Sequence, residues 1–136
     1  MLDKTTGAGH PEGVHIHQSP YSVKETIDRI QDFLRQQGVT IYARIDQQKE
    51  VENAGLKMAP LEFLLFGNPK GGGPVMQENP IAALDLPLKV IAWEDANKQV
   101  WLAHNEAYYI RERYSLQEKT VAPLNIEALI EKVLKR

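Results

Sequence analysis

Val23, Ile27, Ile30 and Leu34 recur three and four residues apart. That spacing gathers them on one face of a helix, and such a face is stable only against a second layer of structure. The start and stop signals flank the stripe. Ser22 followed by Glu25 forms a capping box, and Gly38 supplies a residue tolerant of the left-handed conformation. The spacing predicts a helix over Ser22–Gln37. A second stripe, Ile126, Leu129, Ile130, Val133 and Leu134, follows Asn125 as a cap, with Leu124 placed to staple onto Leu129. Lys132, Lys135 and Arg136 lie at the negative end of its dipole, and this helix is expected over Asn125–Lys135.

The layer for these helices to cover is written as short strands. Val14, Ile16 and Gln18 alternate with His15 and His17, which predicts a strand with one buried face. Val39–Asp46 places Val39, Ile41, Ala43 and Ile45 on one face. Gln47–Ala54 reads as a short helix stopped by Gly55. Leu61–Phe66 is apolar without alternation and reads as a strand covered on both faces. Gly67–Pro74 carries the strongest loop signal, and residues 75–86 suggest short helical turns. Leu88–Trp93 and Gln99–Ala103 form a hairpin about Glu94–Lys98, and Asn105 caps a short helix bearing Ala107, Ile110 and Tyr114. The fold class is α+β, a single mostly antiparallel sheet with helices on one face in β-α-β-β-β-β-α order with short helical insertions. Residues 1–12 are expected as a flexible N-terminal segment and residues 13–136 as one domain.

Composition narrows the function. With 136 residues, 43% hydrophobic and 25% charged, the chain has globular character and length for one domain. It has no cysteine, which excludes disulfide scaffolds, thiolate metal sites and thiol catalysis. A net charge of −2 gives no footprint for nucleic acid, and no apolar run is long enough to span a membrane. The polar N-terminus lacks a signal-peptide pattern, so a cytoplasmic location is expected. Gly7-x-Gly9 with Gly13 misses the dinucleotide spacing and has no preceding strand.

Four ordered segments carry a family resemblance. Phe66-Gly67-Asn68-Pro69-Lys70, Ala82-Ala83-Leu84-Asp85-Leu86-Pro87-Leu88-Lys89, Trp93-Glu94-Asp95, and Asn105-Glu106 with Tyr109 and Arg113 resemble the DUF302 family over about Ser19–Leu116. The resemblance implies a TATA-binding-protein-like β-α-β-β-β-β-α fold and no particular activity, and that fold relation does not imply DNA binding. It also implies a tyrosine at position 104 and a proline at position 107, where this chain has His104 and Ala107.

The leading expectation is a non-catalytic domain that binds a small anionic molecule at the Gly67–Pro74 loop. Backbone N–H groups and Lys70 would face the ligand, with Phe66, Gly67, Asn68, Pro69, Gly71, Gly72, Asn105 and Glu106 completing the site. One alternative is an enzyme using Asn68, His104 and Glu106. Another is a homo-oligomeric interaction domain without a small ligand. A homodimer is expected from an open edge at the short first strand. Trp93 and Trp101, on the two hairpin arms, would form an association surface if exposed. His15-x-His17 has the spacing for two imidazoles to share zinc or copper, with a third ligand from His104 or Asp46. The pair reads instead as polar residues on the wet face of a strand, and Asp46 as a helix cap, so no metal and no cofactor are expected.

Overall fold

The structure is a computed structural model that describes residues 11–135. Its five strands are β1 (Val14–Ser19), β2 (Thr40–Asp46), β3 (Leu61–Gly67), β4 (Leu88–Glu94) and β5 (Val100–Asn105). They form one antiparallel sheet in the order β1-β5-β4-β3-β2, so β1 and β2 are the two edges. The expectation for residues 1–12 falls, up to residue 10, outside the described residues.

The first helix, α1 (Val23–Gln36), begins where Ser22 Oγ accepts the Glu25 N–H at 3.0 Å, and Gly38 follows it at φ +77°. Its stripe lies flat on one sheet face. Val23, Ile27, Ile30 and Leu34 pack with Leu64, Phe66, Val90, Ala92, Val100 and Leu102, all at 7% exposure or less. Arg44 holds the far side of this contact. Its guanidinium donates to Asp28 on α1 at 2.6 Å and to the buried Glu62 on β3 at 2.8 Å. Hydrogen bonds from Lys24 and Arg44 keep the Asp28 carboxyl below its usual range.

The other helical elements are α2 (Gln47–Asn53), α3 (Pro69–Glu78), a 3-10 turn (Pro80–Asp85), α4 (Ala107–Arg113), α5 (Glu118–Val121), a second 3-10 turn (Ala122–Leu124) and α6 (Glu127–Leu134). The last packs beside α1 through Ile130 and Leu134. A second core gathers Val75, Ala82, Ile110, Tyr114, Leu116, Val121 and Leu124. Residues of the family-like segments tie it down: Arg113 donates to Asp85 at 3.1 Å, and the Tyr114 hydroxyl donates to the same carboxylate.

Three local expectations are corrected. Gly67–Pro74 is not a loop but the start of α3. Asn68 Oδ1 accepts the Lys70 N–H at 3.0 Å, Pro69 occupies the first turn, and the completely buried Val75 anchors the helix. Capping and packing here override the low helix propensity of three glycines. β3 is not covered on both faces: Glu62, Leu64 and Phe66 are buried, while Leu61, Phe63 and Leu65 are half-buried on the side away from α1. In β2 a register irregularity between Ile41 and Ala43 moves the chain from one face to the other. Val39 and Ile41 therefore join the core, while Ala43 and Ile45 pair with the half-buried row of β3.

Two glycines make opposite demands. Gly13 has φ +83°, and a Cβ there would stand 2.5 Å from the Tyr109 ring. Gly71, inside α3, would place a Cβ 3.6 Å from the Pro123 side chain, an ordinary van der Waals contact. Gly13→Ala is expected to destabilise by about 2 kcal/mol or more, from left-handed strain plus overpacking. Gly71→Ala is expected to stabilise by about 0.5–1 kcal/mol. Urea unfolding of both variants checks the signs.

Candidate functional site

β1 pairs with β5 so that His15 lies opposite His104 and His17 opposite Leu102. Leu102 belongs to the core under α1, so this register turns both histidines of β1 toward the helical layer. The reading of His15 and His17 as residues on a wet strand face is thereby corrected. His104 is buried, and only 11% of the His17 side chain is exposed, against 40% for His15.

The three rings lie nearly parallel, with centroids 4.3 Å apart for His15–His17, 5.8 Å for His15–His104 and 5.5 Å for His17–His104. Glu127, at the start of α6, reaches into them. One carboxylate oxygen, Oε2, is 2.7 Å from His15 Nδ1 and 3.3 Å from His104 Nε2, and the other, Oε1, is 3.0 Å from His17 Nε2. His17 Nε2 and His104 Nε2 are 3.4 Å apart. One potential ligand atom from each of the four residues lies within 4.8 Å of all the others.

The supporting interactions orient these atoms. His104 Nδ1 lies 3.1 Å from the Asn105 carbonyl oxygen. Only an N–H can donate there, so Nδ1 carries a proton and Nε2 is the atom turned into the cluster. Asn125 Oδ1 accepts the Glu127 N–H at 3.0 Å and fixes the first turn of α6. Burial, with the His15 and His104 imidazoles alongside, pushes His17 down to about 4. It is therefore neutral at pH 7. Glu127 Oε1 is buried and makes no hydrogen bond among the described residues, its approach to His17 being close but poorly directed.

Beside the cluster lies a cavity of about 230 Å³, lined by His15, His104, Asn105, Glu106, Tyr108 and Glu127 among others. Asn105 closes β5 rather than capping α4. The N-cap is Glu106, whose N–H donates to Gly13 O at 2.7 Å. A separate cleft of about 350 Å³ is lined by Tyr42, Gly67, Asn68, Pro69, Gly72, Met76, Leu86, Pro87 and Leu88.

The expected site residues thus divide. Asn68 is in the apolar cleft and His104 and Glu106 in the other cavity, so the proposed catalytic trio does not share one cavity. Phe66 is core, and Gly71 packs beside Pro123. The Gly71 and Gly72 N–H groups donate to Asn68 O at 2.8 and 2.9 Å, so they do not converge on an anion, and the exposed Lys70 is outside the cleft lining. Asp46 caps α2 through the Lys49 N–H, as its cap reading had it. Glu127 was not among the expected ligands. Its only local signal is its place in the first helical turn after Asn125, where an acid is ordinary dipole complementation.

Residues 15–136 match the sequence profile of the family described as "Domain of unknown function DUF302". Proteins named fluoride-specific ion channel FluC 1, from Brucella suis biovar 1 and Brucella abortus biovar 1, are 37% identical over 104 residues, 76% of this chain. Those residues are 41% and 38% of the two relatives, so the chain spans about two-fifths of their length. Among the described residues no helix is long and apolar enough to cross a membrane. The crystal structure of an uncharacterized conserved protein DUF302 from Bacillus stearothermophilus superposes with a TM-score of 0.75 at 18% identity, covering 91% of this chain and 97% of that one.

The depressed His17 sets a pH dependence for the metal-free protein. Between about 4 and the ordinary 6.5 the unfolded chain binds a proton that the folded chain refuses, so stability falls as pH falls through that window. His17→Gln is expected to flatten the fall. Thermal melts of both proteins with chelator, from pH 7.5 to 4, measure it.

Proposed function

The chain belongs to the DUF302 family, which as described has no assigned activity, and we propose from its own residues that it binds a divalent transition-metal ion, zinc foremost, at His15, His17, His104 and Glu127. The observation that carries this reading is the convergence of three imidazole nitrogens and a carboxylate whose buried oxygen has no hydrogen bond. Tetrahedral zinc with bonds of about 2.0–2.1 Å separates its ligand atoms by about 3.3 Å. Oε2 stands 2.7 Å from His15 and 3.3 Å from His104, and the His17 and His104 Nε2 atoms are 3.4 Å apart, while the widest pair is within 4.8 Å, so side-chain rotation closes the shell. Imidazole and carboxylate suit zinc and its first-row neighbours. Burial supports the same reading, since a neutral His17 offers its lone pair without first losing a proton.

Four protein ligands fill a tetrahedral shell and leave no position for a reacting water, as in structural zinc sites. The reading is therefore metal binding without catalysis, and the fluoride conduction named for the Brucella proteins plays no part in it. It replaces the expectation that the histidine pair holds no metal. It also replaces the anion site, because the Lys70, Gly71 and Gly72 N–H groups that site required already donate to Asn68.

Zinc at 100 times its dissociation constant is expected to stabilise the fold by roughly 2.7 kcal/mol, a rise of several degrees in melting temperature. Equilibrium dialysis should find one ion per chain, and cobalt should give the strong visible absorption of tetrahedral coordination. Glu127→Gln and His17→Ala should each abolish these effects, whereas Asp46→Asn, altering the α2 cap, should leave affinity unchanged. Absence of zinc binding, or binding indifferent to both ligand variants, leaves the cluster a hydrogen-bonded histidine–carboxylate network and refutes the proposal.

A further inference from the structure

All helices with buried residues belong to the two cores already described, and those cores take the sheet's residues from one face only. Cross-strand pairing aligns what remains on the other face. Ile16, Ala103, Ile91, Phe63 and Ile45 form one row across all five strands. Trp101, Trp93 and Leu61 run along one side of this row, and Lys89, Leu65 and Ala43 along the other. Of these residues only Ala103 is fully buried, and none belongs to either core. Trp101 Nε1 donates to Asp95 at 2.8 Å, so its polar edge is satisfied and the ring presents apolar surface.

We propose that this face pairs with the same face of a second copy, making a homodimer with two sheets packed against each other. Size favours a partner. Five strands at ~4.8 Å spacing and about 20 Å of length give a plan area near 500 Å², so pairing hides on the order of 1,000 Å² in total, the lower bound for a specific interface. Charge and symmetry favour a second copy as that partner. Lys89 and Trp93 flank Ile91 on β4, two residues away on either side. A two-fold axis lying between the sheets, along the apolar row, sets Lys89 of each copy over the row of Trp93 and Trp101 in the other. Lys89, the one cation among the described residues of these rows, then meets an aromatic ring twice, a cation–π contact related by symmetry. Aligned sheet packing, about 30° from parallel, accommodates this arrangement. The surface differs from the open edge of β1 that the sequence nominates for association.

Both tryptophans of the chain lie in the proposed interface, which gives a direct test. Light scattering of the full chain at micromolar concentration should report about twice 15.4 kDa. On dilution, dissociation should shift tryptophan emission to the red. Ile91→Lys should give a folded monomer by circular dichroism. Should that variant not fold, Lys89→Glu should raise the dimer dissociation constant by about tenfold, equivalent to ~1.4 kcal/mol. A 15.4 kDa species at every concentration overturns the proposal. So does a dimer whose dissociation leaves tryptophan emission unmoved, because the edge of β1 would then be the contact.

Discussion

The stripe of α1 can be buried in only one place, the sheet face formed by Leu64, Phe66, Val90, Ala92, Val100 and Leu102, and the remaining architecture follows from that contact. A five-stranded sheet with its helices on one side needs polar devices to hold the layers in register. Arg44 supplies one by joining β2, β3 and α1 through Glu62 and Asp28. Ser19 and Thr26 supply another, their hydroxyls 2.6 Å apart in the core and coupling the end of β1 to α1. Both satisfy buried polar groups that would otherwise cost about 1–3 kcal/mol each.

The histidine cluster is a by-product of the same layering. Beyond the apolar row under α1, the helix-facing positions of β1 and β5 continue as His17, His15 and His104, and α6 roofs them with Glu127 where α1 ends. An all-apolar continuation would bury well without assistance. Imidazoles stacked at 4.3 Å do not, since any two protonated together would repel, and burial already holds one of them neutral. A cation among them reverses the electrostatics, converting mutual lone-pair crowding into coordination.

The elements that proved legible in the sequence are those governed by local physics. The α1 stripe with its Ser22 cap, the stop at Gly38, the hairpin and the role of Asn125 depend on residues a few positions apart. The family resemblance agreed with the sheet and its helices. What misled was context. Three consecutive glycines read as a loop until Val75 is known to be buried, and the face of β2 reads as constant until the irregularity near Tyr42 is seen. The histidines were legible as a pair, but not their orientation, because strand alternation fixes two faces without saying which one is covered. His104 stands where the family resemblance implies a tyrosine. Its meaning required the pairing of β1 with β5, and Glu127 required the path of α6 as well.

Among the described residues 11–135, His15 and His17 stand near one end and Glu127 near the other, so the cluster joins segments far apart in the sequence. An ion held there would act on the polypeptide as a removable cross-link closing the chain from position 15 to position 127 into a loop. Long loops are where such closure takes most entropy from the unfolded ensemble. The edge strand β1 and the helix α6 would then form a single cooperative unit whose opening requires release of the ion. Metal occupancy would be read out as the order of β1 and α6 rather than as a change at the centre of the sheet.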